Sequence, residues 1–199
     1  MSENKGYSTL RERFLATMKT IRALTGVTQD DFDVLRGIAT ETSAWKDEFV
    51  TSFYDILFGQ PQTAAVFTAN ERTQREKTLG NWYLDLFKID DEELFWDIQV
   101  RIAFYHVQRR VYNQYMVAIG NRFEELFLRK VIAALGPEKG VEASASFNRI
   151  MDTVVGITIA LYDSIVREGY GISLEQSDEM VSKHIGEVQK DYLSGFSKS

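Results

Sequence analysis

The chain has 199 residues, with 23 Lys and Arg against 29 Asp and Glu, two His, two Pro and no Cys, which suits one domain or one domain with a short appendage. With 44% apolar and 13% aromatic residues it is too hydrophobic for wholesale disorder, and a net charge of −6 argues against a nucleic-acid partner, which clustered cations would have to hold. The lack of Cys removes disulfides, thiolate catalysis, Cys-type zinc sites and iron–sulfur clusters together. Met1 to Tyr7 is polar and Leu10 to Phe14 is interrupted by charge, so no signal peptide is expected. The longest uncharged apolar stretch, Val154 to Tyr162, is nine residues against the roughly 20 a bilayer needs. The expectation is a soluble cytoplasmic protein with no membrane partner.

Both prolines, Pro61 and Pro137, fall beside a Gly in apparent joints, and apolar residues recur at intervals of three and four with no period-2 strand. The fold class is all-α. A first helix is expected over 9–24. Thr28 reads as an N-cap, with Asp30 and Asp31 in the first turn of a second helix reaching 42. A third helix, 43–58, carries the stripe Phe49, Val50, Phe53, Tyr54 and Leu57. Beyond Pro61 a short piece ends at Phe67, and Asn70 is the expected cap of a helix carrying Thr78, Leu79, Trp82 and Leu86. Asp90 with Glu93 reads as a capping box. The helix it opens bears Phe95, Ile98 and Ile102, and the next position on that stripe is His106. Two long helices follow, 112–135 and 141–168, the second with an apolar band wider than one packed face requires. Past Gly171 a final amphipathic helix begins near Ser173, with Leu174, Val181 and Val188 seven apart. About eight helices with short turns suit a globin-like packing better than a four-helix bundle.

His106 is the residue on which function turns. A lone His is more often a core side chain bonded to a carbonyl than a ligand. Here the stripe aims it at the core, and no second His or Cys lies near enough in sequence to share a metal ion. One buried neutral imidazole is the whole protein contribution to a five-coordinate haem iron. Phe67, Trp82, Phe87, Phe104, Tyr112 and Tyr115 could line a slot for such a flat apolar plate. His184, in the final helix, reads as a solvent-facing or interface side chain.

Three segments occur in order: Phe53-Tyr54-Asp55-Ile56-Leu57, then Thr78 through Phe87, then Arg101-Ile102-Ala103-Phe104-Tyr105-His106-Val107. They resemble the signature segments of the globin domain of globin-coupled sensors, the lineage shared with protoglobins, over roughly 28–168. The resemblance implies a globin-like fold with an extra N-terminal helix (8–26) and a C-terminal extension, divided as a sensor domain over 1–170 and a helix or linker over 171–199. It implies haem b with His106 as the proximal iron ligand, Tyr54 as a distal hydrogen-bond donor and Thr78 as its helper. Phe67, Trp82, Ile98, Ile102, Val111, Tyr115 and Arg75 complete the expected haem surroundings. The sequence departs from the family pattern at Ala103, where a Gly is usual, at Arg109-Arg110-Val111, where an apolar-Gly-apolar run is usual, and at Arg75, where an apolar residue is common.

The implied function is a gas sensor that binds dioxygen, nitric oxide or carbon monoxide. It would have no catalytic residues and would form a homodimer through the two long C-terminal helices, with a possible downstream signalling domain or protein. A globin-type haem enzyme (nitric-oxide dioxygenase or peroxidase) and a haem-free signalling module are the alternatives.

Overall fold

The computed structural model describes residues 10–68 and 70–194. Among them there are ten helices and no strand: α1 (Leu10–Thr25), α2 (Gln29–Gly37), α3 (Ala39–Ser43), α4 (Lys46–Phe58), α5 (Pro61–Ala64), α6 (Arg72–Leu86), α7 (Glu92–Gln108), α8 (Asn113–Leu135), α9 (Pro137–Tyr170) and α10 (Leu174–Ser194). The chain divides into a compact unit up to Leu161 and a second from Tyr162 onward. No helix among the described residues is long and apolar enough to cross a membrane.

The expected starts of the first helix, at 8 or 9, lie outside the described residues. The expected second helix is broken at Ile38, whose φ of −117° is not helical, and α4 begins three residues later than expected because Ala44 and Trp45 form a turn. Thr28 does open α2, its backbone N–H donating to the Asp31 carboxylate at 2.9 Å. The other two caps are displaced by one residue. Asn70 takes a left-handed φ of 70° and Glu71 is the N-cap of α6, while Asp91 rather than Asp90 caps α7, accepting from the Leu94 N–H at 3.0 Å. Pro137 supplies the first turn of α9, where its missing N–H costs nothing, so that helix starts four residues earlier than expected.

The core of the first unit is aromatic. Phe127 of α8 stacks on Phe147 of α9 with centroids 4.0 Å apart, and Phe49 of α4 meets Tyr83 of α6 and Phe123 of α8, each at 4.9 Å. Phe87, expected near His106, belongs to this cluster through Tyr83 and Phe127. Gly80 brings α6 close to α4: a Cβ there would sit 3.3 Å from Lys46 Cδ and 3.6 Å from Val50 Cγ2. The helix carrying Tyr54 is thereby seated against the helix carrying Arg75, Thr78 and Trp82. The additional helix α1 lies on α9, with Thr25 and Thr153 hydroxyls 2.7 Å apart. Asp31, 2% exposed, accepts from Arg149 Nε at 3.0 Å and ties α2 to α9.

Candidate haem site

His106 lies near the C-terminal end of α7 and is half-buried. Its Nδ1 is 2.9 Å from the carbonyl oxygen of Ile102, one turn earlier. A carbonyl only accepts, so Nδ1 carries the proton and the lone pair is on Nε2. Burial lowers the imidazole pKa, and this outweighs the opposing pull of the carbonyl bond, so the ring is neutral. A neutral imidazole with Nδ1–H bound to a backbone oxygen is the arrangement that orients a metal-ligating His and raises its basicity.

The helix end beside it is locked by backbone geometry. Arg109 is the C-cap, the Arg110 N–H donates to the Val107 carbonyl at 2.9 Å, and the Val111 N–H donates to the His106 carbonyl at 3.0 Å. This is a Schellman closure, and Arg110 occupies its left-handed position at φ 58°. Arg110 therefore stands where glycine usually serves.

The inner face of α7 differs from the expected stripe. Phe95, Trp96, Gln99 and Ala103 are its buried residues, whereas Ile98 is 42% exposed and Ile102 half-buried. At 100° per residue His106 falls between Phe95 and Gln99, within the buried arc, with Ile102, Arg109 and Ile98 on the adjoining, less covered side. Gln99 is polar and so carries no apolar periodicity that would place it inside. Its Oε1 accepts from Trp82 Nε1 at 3.0 Å, joining α6 to α7, and its Nε2 is buried without a partner.

On α4, Tyr54 is 6% exposed, with its ring among Phe53, Phe58 and Phe67 at centroid distances of 5.2, 6.2 and 5.9 Å. Burial pushes its hydroxyl up to about 12, against the Arg75 charge, which acts to lower it. Among the described residues none hydrogen-bonds this hydroxyl. Thr78 is exposed, and its hydroxyl donates to the Gln74 carbonyl at 3.0 Å, on its own helix. Trp82, Val111 and Tyr115 are half-buried, and Phe104, at 48% exposure, and Tyr112, at 49%, are not core residues.

A feature with no sequence signal links the two sides. Glu71 accepts from Arg109 through both oxygens, at 2.6 and 2.8 Å, and from Arg75 Nη2 at 2.8 Å. Its second oxygen also takes the Thr68 N–H at 2.8 Å. The Arg109 and Arg75 bonds hold the Glu71 carboxyl far below the usual carboxylate range. The Nε of Arg75 is buried and has no partner.

Among the described residues no three His, Asp or Glu converge on a common point that could hold a bare metal ion. The donor set does fit haem: one neutral imidazole with a free Nε2, an orphaned guanidinium N–H, and a buried tyrosine ring with its hydroxyl unengaged and the half-buried Phe53, Phe58 and Phe67 against it.

A helical domain with this element order has the globin fold. The chain matches the globin domain of Geobacter sulfurreducens globin-coupled sensor with a TM-score of 0.63 at 22% identity, over 73% of this chain and 97% of that one. The family model described as Protoglobin matches residues 15–164, and the chain belongs to that family. Among curated proteins none matches the chain.

Proposed function

We propose that the chain is a haem-based gas sensor in which His106 ligates haem b and Tyr54 faces the ligand side. The observation that carries this reading is the Nδ1–H bond from His106 to the Ile102 carbonyl, which commits one ring nitrogen and leaves a neutral Nε2 for iron. Membership of the Protoglobin family supports a globin-type, gas-binding role.

Bound ferrous haem would supply an open coordination position that accepts dioxygen, nitric oxide or carbon monoxide. The Ile102 carbonyl fixes the azimuth of the His106 ring, and the Schellman closure at 109–111 fixes the end of the helix that carries it. Phe67, Trp82, Ile98, Ile102, Val111 and Tyr115 would offer apolar surface to the porphyrin. The Tyr54 hydroxyl donates to a polar diatomic ligand. Membership of the Protoglobin family favours binding over catalysis as the role.

Signalling would pass through a homodimer built on α8 and α9, whose exposed Val117, Leu128 and Val141 give apolar surface to a second copy, and onward through α10, where Leu174, Val181 and Val188 are exposed. A cytoplasmic location fits this role. The purified protein should show a Soret band. His106→Ala should abolish or greatly weaken haem retention, and His184→Ala should leave it intact, because His184 is exposed and bonded to Met180. A normal five-coordinate ferrous spectrum in His106→Ala would sink the assignment.

A further inference from the structure

We propose that Glu71 and Gln99 are positioning residues of the haem site: through Arg109 and Trp82 they tie α6 to α7 at two points, and haem retention depends on those ties. The inference rests on the haem reading above and adds to it what keeps the slot formed and where it opens.

The ties fix the direction and the facing length of the two helices. Glu71, the N-cap of α6, accepts from Arg109, the C-cap of α7, through both carboxylate oxygens at 2.6 and 2.8 Å. Further along α6, Trp82 donates from Nε1 to Gln99 Oε1 at 3.0 Å, and Gln99 lies earlier in α7 than Arg109 does. The two helices therefore run antiparallel. The stretch from 71 to 82 is about 16 Å of helix and that from 99 to 109 about 15 Å, so the ties form the two ends of a frame with nearly equal sides. Within it, α6 seats its backbone closely on α4 and makes no comparably close approach to α7.

At 100° per residue Glu71, Thr78 and Trp82 share one face of α6 within about 40°, while Gln99 and His106 share one face of α7 within about 20°. Thr78 and His106 thus fall between the ties, on the faces that the ties turn toward each other. Thr78 is nevertheless exposed, and His106 is only half-buried. Exposure on an inward-turned face marks a gap between the helices, and its length suits a flat macrocycle entering edge-on.

The two ends differ in kind. Gln99 is 2% exposed, and its Nε2 is buried with no partner. An apolar side chain would avoid that cost, so what the Gln supplies is the Trp82 bond. Trp82 also fixes the orientation of the amide, because a flipped amide would set N–H against N–H. This end stays closed. The Glu71–Arg109 pair is nearer water, with side-chain exposures of 19% and 34%, where an ion pair competes with solvent. Haem leaves by parting α6 from α7 at that end.

The test follows haem transfer from the loaded protein to an excess of apomyoglobin by absorbance, beside urea unfolding of the apoprotein. Glu71→Gln keeps an acceptor for the Thr68 N–H, and Arg109→Gln leaves the Glu71–Arg75 bond in place. Each should speed haem loss roughly fivefold, with the apoprotein urea midpoint near that of wild type. The double variant should lose haem about as fast as either single one, since all three lack the same tie. Arg109→Lys, which keeps the charge but not the two-pronged contact, should recover part of the retention. Gln99→Met should also speed haem loss, and its effect should multiply with that of Glu71→Gln because it breaks the other tie. Unchanged haem loss in Glu71→Gln and Arg109→Gln, or in Gln99→Met, would overturn the proposal. So would effects at 71 and 109 that multiply, or haem loss that rises only as the apoprotein midpoint falls. A wild-type chain that takes up no haem would instead overturn the haem reading itself, an outcome seen in the absorption spectrum before any transfer is started.

Discussion

His106 is available to a metal because one backbone carbonyl, that of Ile102, absorbs its only N–H. Tyr54 is the complementary case, a buried ring whose hydroxyl no described residue engages. If it donates to bound dioxygen, Tyr54→Phe should speed oxygen dissociation by roughly an order of magnitude, the kinetic equivalent of about 1.4 kcal/mol. Stopped-flow measurement should show carbon monoxide dissociation changing far less; equal small effects on both gases would reduce Tyr54 to a packing role. Arg110 permits a cleaner test at the level of backbone strain. A non-glycine residue in the left-handed region costs roughly 1–2 kcal/mol, and glycine gives back part of that gain as unfolded-state entropy. Arg110→Gly should therefore stabilise the protein by about 0.5–1 kcal/mol, read as a raised urea midpoint at constant m-value. A lowered midpoint would mean that the Arg110 side chain holds the corner through contacts of its own.

Among the elements, periodicity exposed the long helices well because their apolar residues repeat over several turns. Asn113–Leu135 differs by one residue from the expected 112–135, and Tyr54 and Phe49 face inward on α4 as their spacing demands. Helix ends were less legible. Adjacent acids such as Asp90 and Asp91 are interchangeable in composition, and only backbone geometry selects which one caps. Apolar spacing points to the stripe Phe95–Ile98–Ile102 on α7, yet Gln99 is buried and Ile98 exposed, because Trp82 gives the Gln99 amide a partner that makes its burial tolerable. The bridge from Glu71 to Arg109 spans 38 residues and has no local signature at all. Glycines are equally silent in sequence but decisive in packing. A Cβ at Gly140 would lie 2.7 Å from Ile132 Cα and 2.8 Å from its N, backbone atoms that cannot step aside. Gly140→Ala should destabilise the α8–α9 pair by about 1–3 kcal/mol despite alanine's better helix propensity. Chemical denaturation would show it as a lowered midpoint, and an unchanged or raised midpoint would mean that the two helices have room to separate.

The whole molecule carries a pH dependence whose parts can be separated. Asp31 is pushed up by burial but pulled down further by Arg149, the Thr28 N–H and Ser146, so its pKa is lowered on balance. A lowered carboxylate contributes stability that is complete above its unfolded pKa and lost as pH falls through the folded one. Glu124 of α8 is the opposite case. Burial and then the charge of Asp152 on α9 push its carboxyl up to about 7. Between the ordinary carboxylate range and about 7 the folded state then holds a proton that the unfolded state has released, so this group makes stability fall as pH rises. His106, lowered by burial, works in the other direction over part of the same window in the apoprotein. The informative quantity is therefore the difference between two chains rather than either curve. Glu124→Gln should gain stability relative to wild type progressively from about pH 5 to 7, then hold a constant advantage at higher pH. Asp31→Asn should lose stability at neutral pH and converge on wild type in acid. Urea denaturation at a series of pH values gives both differences, and a Glu124→Gln difference that does not vary between pH 5 and 7 would show that Glu124 ionises in the folded chain as it does in water.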